Sequence, residues 1–425
     1  MRILWVKPGK LLPLDSGGKL RTYNLLRGLL ATQDVTLLSY YGGARDEDYE
    51  REIQHHLPGT ICVCTRIPNR TDITRYFDYV RSLSSPAPYS ISKFTAGSVR
   101  QMLADWISQR RFDVAICDFL AGALNFPRCL AIPTVLFQHN VESLLWKRRA
   151  RYETNWLDRL IAKVEYAKMA RFEPIQVRRF HRVFAVSDQD RAAMGEMIDP
   201  ERITVISTGV DLDQYRYDRD AQPTKPLVVF SGSMDWAPNI DGVEYFCRDI
   251  WPRVLERVPQ ARFRIVGRDP HVRVRNLASA SVEVTGTVPS TMGHLREAAV
   301  LVVPLRIGGG TRIKIYEGMA MGKATVSTRL GAEGLDVHDG HDILLADAPQ
   351  QFAEHVVTFL CDPERRREYE AAAAATVRKY DWSVITECFL EALQRTVSAS
   401  PAKRFSVQLT ANGFFVKGMH EDTRP

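Results

Sequence analysis

The chain has 425 residues, 45% of them hydrophobic and 25% charged, with a formal net charge of +7. That length accommodates two or three domains of roughly 150 residues, and the composition excludes a disordered or collagenous class. No apolar run reaches the ~20 residues of a membrane span, Met1–Pro8 reads as a strand rather than a signal peptide, and the seven cysteines are scattered without a Cys-x-x-Cys pair, so a reduced cytoplasmic protein is expected.

Strands and helices alternate from the start. Ile3–Val6 reads as a strand, Gly17-Gly18 as a turn, Leu20–Ala31 as a helix and Val35–Tyr40 as a second strand. The stretch 46–88 leaves its topology open. Asp113–Asp118, Thr134–Gln138 and Val183–Val186 are short, apolar and bounded by turn signals, which suits strands of a parallel sheet buried on both faces. Between Lys147 and Arg182 stand eleven Lys/Arg against four Asp/Glu, equal to the whole net excess. Leu157, Leu160, Ile161, Val164, Met169 and Phe172 recur there at helical spacing. A basic amphipathic helix of this kind fits an anionic membrane surface or a charged helix over a core. Without aromatic stacking platforms or a binding module it does not fit nucleic acid.

After the polar stretch Tyr215–Pro226 a second series begins. Leu227–Ser231, Phe263–Val266, Val282–Thr285, Val300–Leu305, Ala324–Ser327 and Ile343–Leu345 read as strands, with a helix over Asn239–Val258. Two doubly wound, Rossmann-like α/β halves facing a cleft are expected: residues 1–215 and 216–380. A final helix over 381–395, N-capped by Ser383, would return to the first half, and 396–425 would form a loose tail.

The most informative run is Leu301-Val-Val-Pro-Leu-Arg-Ile-Gly308-Gly309-Gly310-Thr311-Arg312-Ile-Lys314-Ile-Tyr-Glu317. An apolar strand gives way to three glycines and then to a helix start. Glycines let backbone approach a ligand closely, and the N–H groups of a helix start attract phosphate oxygens. Arg312 and Lys314 add positive charge. Glu317 stands where a carboxylate can accept from sugar or ribose hydroxyls, although Lys314 and Glu317 at this spacing also suit a solvated ion pair. Gly17-Gly18-Lys19-Leu-Arg21 opens the first long helix and offers either a phosphate or acceptor contact or a plain turn.

Several further segments point the same way. Phe137-Gln-His139-Asn140-Val-Glu142, Val186-Ser-Asp-Gln-Asp-Arg191, Val205-Ile-Ser-Thr-Gly209-Val210-Asp211 and Phe230-Ser-Gly232-Ser233-Met-Asp-Trp-Ala-Pro-Asn239, with the glycine run, resemble a GT-B glycosyltransferase of family 4, also called group 1. The resemblance extends from about Met1 to Leu393. It implies a retaining, metal-independent transfer of a sugar from a nucleotide-diphosphate-sugar to a glycan or lipid-linked acceptor in polysaccharide or cell-surface glycan synthesis. The donor is itself the substrate and no separate cofactor is implied. The residues it implies are His139, Arg312 and Lys314 for catalysis, and Gly18, Gly232, Ser233, Gly309, Gly310, Thr311 and Glu317 for donor binding. Peripheral contact with the inner face of the membrane would run through residues 147–182.

Two departures stand out. The family's paired glutamates are reduced to Glu317, with Gly309 at the earlier position, and Ser233 follows Gly232 where the family carries an arginine. A non-catalytic partner subunit and a nucleotide-sugar epimerase are the rival readings. Asp211-Leu-Asp213 and His338-Asp-Gly-His341-Asp342 hold metal-type side chains but read as linker and turn, so no metal site is expected.

Overall fold

Two parallel sheets carry the molecule, described by a computed structural model for residues 1–399 apart from 67–73, 154, 221–222, 309 and 311. The first sheet has seven strands in the order β3-β2-β1-β4-β5-β6-β7. They are β1 Arg2–Pro8, β2 Asp34–Gly42, β3 Ile61–Thr65, β4 Val114–Asp118, β5 Thr134–Phe137, β6 Arg182–Ala185 and β7 Ile203–Val205. The second has six, in the order β10-β9-β8-β11-β12-β13. Its members are β8 Leu227–Ser231, β9 Arg262–Val266, β10 Val282–Val284, β11 Val300–Val303, β12 Ala324–Ser327 and β13 Leu344–Leu345. The central strands β4, β5, β8, β11 and β12 are buried along their whole length, because helices cover both faces of each sheet.

Strand order reverses between β1 and β4 in the first sheet and between β8 and β11 in the second. Loops at such reversals leave a crevice beyond the carboxyl ends of the strands. The helices that matter for the site are α1 (Gly17–Leu30), α2 (Glu142–Tyr152), α3 (Trp156–Arg179), α4 (Ala237–Tyr245), α5 (Ile313–Ala320) and α6 (Trp382–Ala399).

The sequence missed β7, and β3 falls in the stretch whose topology it leaves open. Both are sheet edges, and β3 is nowhere fully buried, so neither shows the continuous apolar run of a central strand. The helix expected over Asn239–Val258 starts earlier, at Ala237, with Pro238 in its first turn where no N–H is needed. A π-helical turn at Phe246–Ile250 interrupts it. At the C-terminus the cap is Asp381 rather than Ser383: its Oδ1 accepts from Ser383 N at 2.8 Å. The helix then continues to Ala399, beyond the expected end. α6 packs on the first sheet's layer. Phe389 stacks on Trp5 at 5.4 Å and meets Phe137 and Phe184 edge-on. Trp382 lies so close to Gly209 that a Cβ there would stand 2.5 Å from its ring.

Candidate functional site

The loops leaving β1, β4 and β5 form one wall of the cleft. α1 starts at Gly17, and a Cβ on Gly18 would stand 2.6 Å from the Phe119 ring, so glycine is what lets the helix start approach. Phe119 has φ +69°, a left-handed backbone that a bulky residue holds only when its surroundings impose it. Its ring stacks on His139 with centroids 3.9 Å apart. His139 is buried, with Arg21 Nη1 2.8 Å from Nδ1 and Asp118 Oδ1 2.6 Å from Nε2. A guanidinium can only donate. Nδ1 therefore accepts, and Nε2–H donates to Asp118. Burial, opposed by Asp118, pushes the imidazole down to about 4, and Arg21 and Lys7 push it the same way. His139 is thus neutral near pH 7 and held in one tautomer.

The opposite wall comes from β8, β9 and β11. A Cβ on Gly267 would fall 1.6 Å from the Gly232 carbonyl oxygen. The ends of β8 and β9 close on one another in a way that only glycine allows. A Cβ on Gly232 would likewise lie 2.7 Å from Lys314 Nζ. That ammonium donates to Asn239 Oδ1 at 3.2 Å and sits 4.1 Å above the Phe230 ring. Burial lowers Lys314 to about 7, with Arg312 adding to the shift and Glu317 opposing it. Arg312 is 4% exposed; it donates to the Gly310 carbonyl and lies 5.7 Å from the Trp236 ring. Burial lowers it to about 10 against the pull of Glu333.

Between the walls runs a cleft of about 670 Å³ whose lining includes Gly18, Arg21, His139, Trp236, Arg268 and Lys314. Cations, glycine backbone and the start of α5 converge there, an arrangement that can accept a diphosphate. Beyond Asn140 and Gly310, which both cavities share, a smaller one of about 60 Å³ is walled by Val141, Leu144, Leu145, Arg148, Asp190 and Glu333. Arg148 on α2 bridges the domains at its rim. Its guanidinium donates to both Glu333 carboxylate oxygens, at 2.7 and 2.8 Å, and to the Gly308 carbonyl at 3.1 Å.

Comparison with known proteins agrees with this geometry. A family model described as glycosyltransferase family 4 matches residues 16–214, and one described as glycosyl transferases group 1 matches 225–362. The chain belongs to the family 4, group 1 glycosyltransferases. A phosphatidyl-myo-inositol mannosyltransferase of Mycobacterium tuberculosis is 30% identical over 234 residues, 52% of this chain and 60% of that protein. A GDP-mannose:cellobiosyl-diphosphopolyprenol alpha-mannosyltransferase of Xanthomonas oryzae is 26% identical over 235 residues, 51% of this chain and 59% of its own. The match thus spans less than two thirds of either relative's length. Among solved structures, Anabaena HepE in complex with UDP and glucose superposes with a TM-score of 0.64 at 14% identity, over 93% of this chain and 99% of that one. The fold is GT-B.

In this family 4 glycosyltransferase, Gly18, His139, Gly232, Ser233, Gly310, Arg312 and Lys314 all line the one cleft, although they come from four separate segments. Gly309 and Thr311 lie outside the described residues. Glu317 is not among the residues lining the cleft; burial raises its carboxyl, and the hydrogen bond from Tyr215 and the Lys314 charge oppose that rise. Arg312, expected as an open cation at the mouth, is instead folded onto its own loop. Sequence reasoning missed Arg268, Trp236 and Asp118. For Arg268 a signal was present, since Gly267-Arg268 follows β9 just as Gly232-Ser233 follows β8.

The basic segment of the glycosyltransferase is not one amphipathic helix. α2 and α3 divide it, with Asn155 capping α3 by accepting from Leu157 N at 2.9 Å. Met169 and Phe172 are buried, whereas Trp156, Leu157 and Leu160 are 75%, 49% and 51% exposed. Several cations have structural partners: Lys168 donates to Ser82 O, Arg178 to Met197 O, and Arg179 to Phe126 O and Pro127 O. Among the described residues no helix is long and apolar enough to cross a membrane, and no group of three His, Cys, Asp or Glu is placed to hold a metal ion. Asp211 accepts from Gln214 N in a turn, and Asp342 accepts from His338 N and Thr376 Oγ1.

Proposed function

We propose that the protein transfers a sugar, with retention of configuration, from a nucleotide-diphosphate-sugar to a glycan or lipid-linked acceptor in polysaccharide or cell-surface glycan synthesis. The bond from the anomeric carbon to the diphosphate breaks, and the acceptor oxygen bonds to that carbon on the same face. The acceptor's proton passes to the departing phosphate oxygen, so no dedicated base, metal or further cofactor is required. What the protein supplies is fixed positive charge for the leaving group, usually the largest catalytic term. The observation that carries this reading is the Lys314 ammonium held against Gly232 beside the start of α5, at the strand-order reversal. The acceptor would occupy the smaller cavity, whose apolar wall on α2 suits a sugar face or lipid stem. The activities for which the two relatives are named, one on phosphatidyl-inositol and one on a diphosphopolyprenol, support an acceptor of that kind.

A thermal-shift panel of UDP, GDP, ADP and their sugar conjugates tests the donor site. One of them at 100 times its dissociation constant is expected to add ~2.7 kcal/mol. A flat panel would remove the donor reading.

The exposed start of α3 supports contact with an anionic membrane on its cytoplasmic side, because Trp156, Leu157 and Leu160 stand beside the exposed Arg159 and Lys163. The protein is expected to pellet with phosphatidylserine-containing vesicles at low salt and to be released as salt rises. Trp156→Asp should weaken this pelleting severalfold without changing the melting temperature. Equal pelleting of the two proteins would place the contact elsewhere.

A further inference from the structure

The cations of the cleft are not equally available to a ligand. Arg312 points its Nη1 back to the Gly310 carbonyl, and Arg21 Nη1 is bonded to His139. Lys314 lies deep against Phe230 and Gly232, and burial leaves it only partly ionised near neutral pH. Arg268 differs. Its side chain is 39% exposed and lines the cleft. Its Nε donates to Ser233 Oγ at 2.9 Å, a bond that does not use the two terminal nitrogens. Their ion-pair partner among the described residues is Asp15 of the N-terminal wall, 3.9 Å away, beyond direct hydrogen bonding.

The backbone around Arg268 is fixed. Met234 N donates to its carbonyl at 3.0 Å, Gly232 N donates to Val266 O at 2.9 Å, and Gly267 admits no side chain against Gly232. The β8 and β9 loops therefore form one unit, and Arg268 reaches from the loop after β9 to Ser233 in the loop after β8. A guanidinium presents two parallel donors that match a phosphate, and it stays charged throughout the working pH range.

We propose that Arg268, crossing from β9 to Ser233, is the donor-site cation that grips the distal phosphate of a nucleoside diphosphate and makes the site prefer diphosphates to monophosphates. The proposal rests on the donor reading above. The distal phosphate is assigned because Arg268 leans toward Asp15 on the N-terminal wall, the side from which an acceptor must approach. Lys314, deeper at the β8 end, serves the oxygens on the other side of the diphosphate.

The test measures binding of UDP, UMP, GDP and GMP by calorimetry to the full chain and to three variants. Arg268→Ala is expected to weaken the better diphosphate ten- to a hundredfold, the usual range for one charge-assisted hydrogen-bonded group, while the matching monophosphate changes less than about threefold. Arg268→Lys is expected to fall between, since it keeps the charge and loses the paired donors. Combining Arg268→Ala with Ser233→Arg moves the guanidinium one strand over and should recover most of the lost affinity. A role confined to packing would not produce that recovery. If the wild type prefers diphosphate and Arg268→Ala keeps the same preference, the Arg268 assignment is overturned and the donor site stands. Equal loss of monophosphate and diphosphate also overturns it, because Arg268 would then act through the shape of the loops. Absence of binding by the wild type overturns both readings.

Discussion

Replacing Lys314 by methionine is expected to lower sugar transfer, or donor hydrolysis where no acceptor is supplied, by roughly 10²–10³-fold, the range found when one preorganised donor to a developing anion is removed. Methionine keeps the unbranched apolar stem and lacks the ammonium that lies over Phe230 and against Gly232, so the loss reports charge. The same residue makes a prediction about pH. Burial lowers Lys314 from its ordinary 10.5 to about 7. A diphosphate prefers the ammonium, so affinity should be greatest below pH 7 and decline as pH rises through that value, with protons taken up on binding. For the ligand-free protein the sign is opposite. Between about 7 and 10.5 the unfolded chain holds this proton and the folded chain does not, so the Lys314 contribution makes stability rise with pH across that window. Lys314→Met should flatten both profiles. Retained transfer activity with an unchanged pH profile would move the reacting centre away from α5.

The β8 and β9 ends also show where the sequence was legible and where it was not. Central strands such as β4 and β11 are continuous apolar runs because they are covered on both faces, and that property can be read residue by residue. Gly308 and Gly310 were legible for a similar reason: each has a positive φ, a local demand that glycine meets. Arg268 left only the trace of Gly267-Arg268 after β9, because its meaning comes from the parallel pairing of β8 with β9, which sets Val266 beside Ser231 and Arg268 within reach of Ser233. Arg312 failed in the other direction. Its spacing from the glycines suggested an open phosphate ligand, but only the folded loop shows that the guanidinium turns inward. The basic segment misled because charge was counted without partners, and Arg148 turned out to clasp Glu333 and Gly308 across the cleft.

His139 gives the sharpest instance, since its two partners lie 21 and 118 positions away in the chain, and they lead to the largest expected effect on stability. Asp118 is fully buried at the end of β4. It accepts from His139 Nε2 and from Thr22 Oγ1 at 2.8 Å, and it lies 3.9 Å from the buried Lys7 ammonium. Burial alone would raise its carboxyl, but His139, Lys7 and Thr22 outweigh this and hold it below the ordinary value. Asp118→Ala leaves Lys7 without its counter-charge and His139 Nε2–H without an acceptor. Breaking a buried pair from one side costs about 3–5 kcal/mol, enough to lower the N-terminal domain's melting transition by ~10 °C at 2–4 °C per kcal/mol. Asp118→Asn should cost less, because its side-chain oxygen still accepts from one neighbour. Adding Lys7→Met to Asp118→Asn should recover stability relative to Asp118→Asn alone, since the uncompensated ammonium goes with it. Urea midpoints for the four proteins measure this. If Lys7→Met gives no recovery, the Lys7 ammonium is satisfied by the Pro8 carbonyl it already donates to at 3.2 Å, and the cost of losing Asp118 comes from His139 and Thr22 instead.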